Sequence, residues 1–314
     1  RPDPKWRPQP NDIVRSIAPA GGRVYVGGDF TATHGVARTH LAAVDTTAGN
    51  PLPFAPDLDG TVSTIRLDGD TIFTAGAFTS VNGISRNYLA AMDASTGSLL
   101  AWDPMVNGTV DALVVKPEEV LIGGSFTSVS ADTGHPYLCA VARNSGSPTD
   151  WSPAMNGAVS AVCETNGTVY AGGAFTLVNG QPRNHTAGID ATNGQLTNWN
   201  PSTDGYLTNI NYAAGHIYLA GNFTQVHGQA RHYVAAVDTM GGEPTIWNPS
   251  MNASVFSLDI QDRVFVGTPN TTAGSLAVYP LTVGTSAASL RIKVFLEGPY
   301  VSATGLMNDS LRQG

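Results

Sequence analysis

A motif that recurs every 48 or 49 residues constrains the fold of this chain more than any other feature of its sequence. The tetrapeptide Gly-x-Phe-Thr occurs five times, with its phenylalanine at Phe30, Phe78, Phe126, Phe175 and Phe223. A Trp-x-Pro tripeptide keeps the same spacing at Trp6, Trp102, Trp151, Trp199 and Trp247, and Phe54 takes that place once. Repeats of this length are typical of folds whose units bury apolar surface against neighbouring units.

One copy of the repeat, residues 61–108, predicts four short β-strands. Residues 61–67 alternate between apolar and polar, and Asp68-Gly69 supplies a tight turn before a second strand at 71–78. A third strand follows at 88–93, and a fourth at 98–104 ends in a proline that suits a sheet edge. Nothing in the copy shows the helical period. Four strands in each copy are the pattern of a β-propeller blade.

The repeat therefore predicts an all-β fold, a six-bladed β-propeller of four-stranded blades over residues 1–284. The blades begin at residues 12, 61, 109, 158, 206 and 254. The sixth lacks a Trp-x-Pro strand, while Lys5–Pro10 is such a strand with no blade before it. We expect the closing strand, within residues 1–11, to complete the sixth blade, because ring closure removes exposed sheet edges. Residues 285–314 are expected to form a C-terminal extension, a linker or the start of a further domain.

The consensus of the copies reads Gly-Gly-x-Phe-Thr-x-Val-Asn-Gly-x-x-Arg, followed by Leu-Ala-Ala-Val-Asp-x-x-Thr-Gly-x-Leu-x-x-Trp-x-Pro. Over residues 12–284 it resembles the delta-60-type repeats of large secreted bacterial proteins. The resemblance implies a β-propeller in a secreted or cell-surface setting, outside a bacterial cell. It implies no catalytic residue, because that family carries no agreed activity.

The charge of the chain argues against two classes of partner. Its 24 acidic and 16 basic residues give a net charge of −8, whereas nucleic-acid and anionic-membrane surfaces need clustered Lys and Arg. No apolar run approaches the roughly 18 residues of a membrane span. The chain begins without Met and without a signal peptide, which predicts a mature or excised segment of a longer protein.

A basic residue follows each repeated phenylalanine and is the first candidate for ligand binding, at Arg38, Arg86, His135, Arg183 and Arg231. The loops that carry these residues share one face of a propeller, where a ring of Arg binds carboxylates or anionic glycans. The alternative is that each Arg caps loop carbonyls or pairs with a neighbouring blade. Repetition favours this alternative, because a site usually breaks the symmetry of its scaffold.

Repeated aspartates precede Thr- and Gly-rich turns, at Asp45, Asp93, Asp190 and Asp238. This placement predicts Asx-type turns in which the carboxylate accepts backbone N–H groups. A calcium site is the alternative, but the chain has no Asp-x-Asp-x-Asp spacing.

The sequence predicts no metal, no cofactor and no assembled catalytic motif. The histidines fall mostly at repeat positions, and His40 and His185 stand where other copies have Tyr, which predicts aromatic packing. No nucleophile elbow or phosphate loop occurs. The acids on the innermost strands, and hence the candidates for a glycosidase-type carboxylate pair, are Asp111, Glu164 and Asp259.

Two cysteines are too few for a disulfide framework in a chain of this length. Cys139 and Cys163 are expected to be small buried apolar residues, with a single bridge between neighbouring elements as the alternative.

Surface modification and assembly have their own candidates. Glycosylation sequons suited to surface positions occur at Asn107, Asn166, Asn184, Asn252, Asn270 and Asn308. In the tail, residues 291–296 alternate in polarity and predict a strand, with Arg291, Lys293 and Phe295, that adds to a surface of the same or another copy. The tail resembles the opening of a segment that follows propellers in cell-surface proteins of Bacteroidota.

These patterns predict a non-catalytic extracellular module for adhesion, recognition or scaffolding, or a subunit of a surface filament. Its expected partner is a protein or glycan at the cell surface, with self-assembly through the C-terminal extension. The alternative is a carbohydrate-active propeller enzyme of the glycosidase or lyase class. A third reading, a quinoprotein-like enzyme, rests only on the Asp-x-x-Thr-Gly turn. A clustered pair of acids at the centre of the ring would favour an enzyme, and small neutral side chains there would favour a scaffold.

Overall fold

The computed structural model describes residues 6–255, 257–260, 263–268, 275–280 and 290–292. Within these ranges the regular elements are all β-strands. We number the repeat units 1 to 6 from residues 12, 61, 109, 158, 206 and 254.

Units 1 to 5 share one sheet topology, in which an inner, a middle and an outer strand pair antiparallel in that order. The inner strands are β1 (Val14–Ala20), β6 (Val62–Asp68), β11 (Val110–Val115), β14 (Val159–Thr165) and β19 (Leu207–Ala213). The middle strands are β2 (Arg23–Gly28), β7 (Thr71–Gly76), β12 (Glu119–Gly124), β15 (Thr168–Gly173) and β20 (His216–Gly221). The outer strands are β5 (Leu41–Asp45), β10 (Leu89–Asp93), β13 (Leu138–Ala142), β18 (Thr186–Asp190) and β23 (Val234–Asp238).

Each inner strand carries a register shift near its start, and the glycine that ends the middle strand explains it. In unit 3 the shift lies between Val110 and Ala112. A Cβ atom on Gly124, which pairs with Val110, would collide with the carbonyl oxygen of Thr109. The last Gly of the Gly-Gly-x-Phe-Thr motif is therefore required by a close backbone approach.

In four units a small hairpin follows the middle strand, where the sequence predicts only a loop. Its strands are β3 (Ala32–Thr33) with β4 (Val36–Ala37), β8 (Ser80–Val81) with β9 (Ile84–Ser85), β16 (Leu177–Val178) with β17 (Gln181–Pro182), and β21 (Gln225–Val226) with β22 (Gln229–Ala230). The turn at Asn82-Gly83 has positive φ angles of 52° and 72°, as a two-residue type I′ turn requires. His34 and His227 adopt the same conformation in their units.

The predicted fourth strand of each blade is wrong for units 1 to 5. There the stretch that ends in Trp-x-Pro, here called the outer segment, makes one isolated bridge to the outer strand, such as Met92 to Leu99 in unit 2. Two backbone hydrogen bonds flank that bridge, from Asp93 N to Ser98 O and from Leu100 N to Ala91 O. Beyond it the outer segment makes only scattered backbone hydrogen bonds to its own sheet, such as Ala140 N to Trp151 O in unit 3 and Gly188 N to Trp199 O in unit 4, because its Pro cannot donate to a ladder.

The sixth unit is a four-stranded sheet in the order β24 (Ser257–Ile260), β25 (Arg263–Thr268), β26 (Ser275–Pro280) and β27 (Leu290–Ile292). Its fourth strand is thus β27, which pairs with β26 and comes from the C-terminal side of the chain. The sequence predicts residues 5–10 at that outer edge instead. The predicted assembly strand therefore lies on the chain's own sixth unit, with Arg291 paired to Ala277. Lys293 and Phe295 lie outside the described residues.

The N-terminal residues 6–10 instead contact unit 1. Trp6 Nε1 donates to Asp45 O at 2.9 Å, and Pro10 forms a bridge with Thr33. The outer segments of units 2, 3 and 4 contact the unit that follows them in this way, as Trp102 Nε1 does with Ala142 O. Elsewhere the residue that bridges to the outer strand lies three positions before the Trp. Its counterpart here is residue 3, which lies outside the described residues.

The hydrophobic core lies between consecutive sheets. One cluster joins Phe73 and Leu89 of unit 2 to Leu113 and Phe126 of unit 3, and equivalent clusters occupy the other junctions from unit 1 to unit 6. Each repeated Phe of the Gly-x-Phe-Thr motif is 0 % exposed. Both faces of each sheet are thus apolar, which explains why the unit folds only as part of an array.

Candidate functional site

The inner strands of consecutive units lie side by side from β1 to β24, so the inner edge of every sheet borders one common region. Side chains two units apart interact electrostatically across this region. Burial raises the pKa of Asp111 of unit 3, and Arg15 of unit 1 partly opposes that rise; Cys163 of unit 4 interacts electrostatically with Arg66 of unit 2. We call the region between these inner strands the inner space, and these four side chains interact across it.

Neither Glu164 nor Asp259 is among the groups that shift the pKa of Asp111. Burial raises the pKa of Asp111, and the groups that oppose this shift are Thr109 and Arg15. Glu164 contributes to the raised pKa of Cys163 and is not among the groups that shift the pKa of Asp111. Asp259 lies on β24 and has interactions of its own. No group of three His, Cys, Asp or Glu side chains in the described part of the chain is arranged to hold a metal ion.

Two arginines face the inner space in different electrostatic states. Arg15 donates to both carboxylate oxygens of Asp29, with Nη2 to Oδ2 at 2.7 Å. Arg66 donates only through Nη1, to Ile65 O at 2.9 Å and to Thr64 Oγ1 at 3.3 Å. The side chain of Arg66 is exposed to solvent, yet desolvation by surrounding protein lowers its pKa.

The repeated arginines bind the backbone of their own unit. Arg183 Nη1 donates to Pro182 O at 2.9 Å, and its Nη2 donates to Thr197 O at 3.2 Å on the outer segment. Arg38, Arg86 and Arg231 repeat this arrangement. In unit 3 His135 instead lies 3.4 Å from Asp132 Oδ2. The arginines thus tie the small hairpin to the outer segment, which is the role that the alternative reading of the sequence predicts.

The repeated aspartates form the predicted turns. Asp45 Oδ1 accepts the backbone N–H groups of Thr47 and Ala48 at 2.8 and 2.6 Å. In Asp93 the hydroxyls of Ser95 and Thr96 add to the backbone donors and lower the pKa of the carboxyl to about 2. The Asx-type prediction is therefore confirmed.

A third polar position repeats along the sequence with the same spacing, and no role was predicted for it. It is occupied by Asn11, Asp59, Asn107, Asn156, Asp204 and Asn252. Asn156 Oδ1 accepts the N–H groups of Thr176 and Leu177, each at 2.8 Å, and its Nδ2 donates to Thr176 Oγ1 at 2.9 Å. The residue fastens the Phe-Thr turn to the start of its own unit, which explains why Thr follows the repeated Phe.

The sequon positions differ in how their side chains are used. Asn107 is held by Thr127 and Ser128 through three hydrogen bonds. Asn166 is exposed at the turn between β14 and β15, where its φ is 51°. Asn184 and Asn252 are also exposed, and Asn270 and Asn308 lie outside the described residues.

The cysteines are both free thiols. Cys139 is 0 % exposed in the core between units 2 and 3, as predicted. Cys163 is only half-buried on its inner strand, and burial raises its pKa to about 11. A bridge between them is not formed in this structure.

No helix long and apolar enough to span a bilayer occurs in the described ranges. No family model matches the chain, and no curated protein matches its sequence.

Three solved structures are similar to the chain over most of its length. The computationally designed protein Ika8 has 14% identity and a TM-score of 0.58, covering 94% of this chain and 92% of the other. A chain of the Mitotic Checkpoint Complex has 10% identity and a TM-score of 0.58, covering 96% and 85%. The propeller of Dos1 has 11% identity and a TM-score of 0.54, covering 94% and 87%. With the repeated radial sheets, these similarities show that the chain has a β-propeller fold.

Proposed function

We propose that this chain is a six-bladed, ring-closed β-propeller that acts as a non-catalytic extracellular module for recognition, adhesion or scaffolding. The observation that carries the functional part is the use of the repeated polar side chains. The arginines, aspartates and asparagines of the motif bind backbone groups of their own unit. The motif thus serves the scaffold, and partner specificity resides in residues that differ between units.

Ring closure is supported by the face of unit 1 that points away from unit 2. Val26 and Val44 on this face are 2 % and 0 % exposed, although an open array would leave them in water. On the other side of the proposed junction, Ser257 Oγ is buried and has no hydrogen-bond partner in the described part of the chain. Its counterpart in unit 1, Ser16 Oγ, accepts the N–H of Ile65 in unit 2. By the same relation Ser257 would accept the N–H of Ile17.

The N-terminal segment supports the same closure. Residues 6–10 contact unit 1 as the outer segments of units 2, 3 and 4 contact the unit after them. In a six-unit ring the unit before unit 1 is unit 6. The segment and β27 then share the edge of β26.

A recognition role agrees with the placement of exposed apolar side chains beside the small hairpins. Val36 and Ile84 lie on equivalent hairpins of units 1 and 2, with 43% and 53% of their surface exposed, and Met105 is 58% exposed. Such side chains supply contact area to a protein or glycan partner. One of the similar solved structures is itself a multiprotein complex by its name. Secretion, glycosylation and assembly into a filament remain part of this proposal.

The second candidate is the carbohydrate-active enzyme, and Asp111 is the observation that favours it. A carboxyl whose pKa is raised by burial holds its proton closer to neutral pH, as a general acid must. A glycosidase requires a second carboxylate. Among the described residues, no carboxylate shifts the pKa of Asp111.

One experiment separates the two functions. The purified chain is applied to arrays of bacterial surface polysaccharides and extracellular proteins, and binding and release of reducing ends are measured on the same samples. We expect saturable binding with no product. Release of reducing ends that disappears in Asp111→Asn or Glu164→Gln, but persists in the surface control Asp12→Asn, would establish the enzyme instead.

A further inference from the structure

The small hairpins carry an exposed apolar residue directly after their turn glycine in units 1 and 2, but a polar one in units 4 and 5. The apolar residues are Val36 and Ile84, and the polar ones are Gln181 and Gln229. Because the same hairpin forms with either type of side chain, its fold does not require the two aliphatic residues. Their exposure in two neighbouring units therefore indicates a use at the surface, since binding sites break the symmetry of a repeated scaffold.

Asp57 lies between these two hairpins and is hydrogen-bonded to the chain on both sides. Its Oδ1 accepts the hydroxyl of Thr39, which follows the hairpin of unit 1, at 2.7 Å. Its backbone O accepts the N–H of Asn82, in the hairpin turn of unit 2, at 2.7 Å, and its own N–H donates to Asn82 Oδ1 at 2.8 Å. The Asp57 carboxylate is therefore flanked by the hairpin that carries Val36 and by the one that carries Ile84.

The carboxylate of Asp57 is exposed and makes no ion pair within the described part of the chain. The equivalent position holds Met105 in unit 2 and Ala154 in unit 3. Ala154 makes the same two backbone contacts, with Asn179, that Asp57 makes with Asn82. A carboxylate is thus not needed to form this junction, and its charge is available to a partner.

Met105 extends the same surface beyond the hairpin of unit 2. Arg86, two residues after Ile84, pairs with Asp103 Oδ2 at 3.2 Å. The other oxygen of that carboxylate accepts the N–H of Met105 at 3.1 Å, and the Met105 side chain is 58% exposed. We use the name hairpin patch for the four residues Val36, Asp57, Ile84 and Met105.

We propose that the hairpin patch binds a segment of a protein partner in which a Lys or Arg is flanked by apolar side chains. The inference rests on the recognition role proposed above and names the class of partner. The cation of the segment pairs with Asp57, because opposite charges across an interface fix its register. Its apolar side chains cover Ile84 and either Val36 or Met105. A glycan fits less well, because its hydroxyls lose water against aliphatic side chains that offer no hydrogen bond.

Selection of random linear peptides on the intact chain tests the proposal, with the affinities of enriched peptides then measured by fluorescence polarisation. We expect the enriched peptides to carry a basic residue between apolar ones, and their affinity to fall as salt rises. Enrichment of peptides without a basic residue, or of none, would overturn the proposal. In that event binding on the polysaccharide and protein arrays shows whether the recognition role itself stands.

Variants that copy other units locate the binding surface. The double variant Val36→Gln/Ile84→Gln carries the residues of units 4 and 5, so it should fold normally and weaken peptide binding at least tenfold. Asp57→Asn removes only the charge and should weaken binding and reduce its salt dependence.

Leu177→Gln is the matched control. This hairpin residue of unit 4 is 40% exposed and is replaced by Gln225 in unit 5. The variant should keep the affinity within about twofold of the wild type, because Leu177 lies outside the hairpin patch. Undiminished binding by the double variant, or an equal loss in Leu177→Gln, would show that the hairpin patch is not the binding surface.

Discussion

The indole nitrogen of Trp199 lies 2.8 Å from the backbone carbonyl oxygen of Asp238, to which it donates a hydrogen bond across the boundary between units 4 and 5. Trp6, Trp102 and Trp151 make the same bond to the unit that follows each of them. Trp247 is equally buried, but its indole N–H has no partner among the described residues. The repeated Trp thus links consecutive units, and the link is missing where the chain enters the irregular sixth unit.

The contrast between Trp199 and Trp247 predicts unequal effects of one substitution. Each ring packs edge-on against a tyrosine, at centroid distances of 4.8 and 5.3 Å. Trp→Phe therefore removes similar volume at both sites, but only Trp199→Phe also removes a hydrogen bond. We expect Trp199→Phe to lower the free energy of unfolding by about 1 kcal/mol more than Trp247→Phe. Urea unfolding of both variants measures the difference, and equal losses would contradict the linking role.

The Asp59 carboxyl predicts part of the acid sensitivity. Burial raises its pKa, but hydrogen bonds from Thr79 and Ser80 outweigh burial and lower the pKa to about 2. Since the folded pKa lies below the unfolded one, the stabilisation is present above about pH 4 and is lost as pH falls toward 2. Asn fills the equivalent position in units 3 and 4, so Asp59→Asn should fold normally.

The melting temperature of Asp59→Asn, followed from pH 6 to pH 2, should match the wild type near neutrality and fall less steeply below pH 4. Asn156→Asp is the reciprocal control and should steepen the same part of the profile. Parallel profiles for all three proteins would show that this carboxyl does not contribute.

The hairpin turn of unit 5 predicts a stabilising substitution. Asn179 in unit 4 tolerates its positive φ of 50° and also binds Ala154 N and Gly194 O through its side chain. His227 has the same backbone conformation but only a 3.4 Å contact with Glu243, and both side chains are largely exposed. We expect His227→Asn to raise stability by about 0.5–1 kcal/mol. Thermal unfolding of this variant, with Asn179→His as the opposite exchange, checks the sign in both directions.

Ring closure predicts where the chain opens first when its N-terminal segment is removed. Deletion of residues 1–10 removes the Trp6 and Pro10 contacts with unit 1. We expect a loss of about 3 kcal/mol or more, because a large aromatic side chain leaves the core. Hydrogen exchange should report loss of protection first in β24 to β26, and Trp6→Ala should act in the same direction. Unfolding identical to that of the intact chain would refute closure by this segment.

Much of the architecture was predictable from local signals. The spacing of Phe30, Phe78 and their equivalents, with turns such as Asp68-Gly69, predicted the inner, middle and outer strands and the all-β fold. The Asp45 turns were predictable because an Asx turn depends only on nearby residues. The fourth strand was wrong because pairing at an outer edge depends on where Trp102 points, and that direction is set by the neighbouring unit.

The sequence alone determined the repeat, the strand order and the structural use of most repeated polar residues, since these depend on contacts within about 50 residues. The tertiary structure decided what faces the common centre. Arg66 resembles any surface arginine in the sequence, and its interaction with Cys163 of unit 4 cannot be read from neighbours along the chain. It arises because the inner strands of non-adjacent units approach each other, and such contacts exist only when the sheets are assembled.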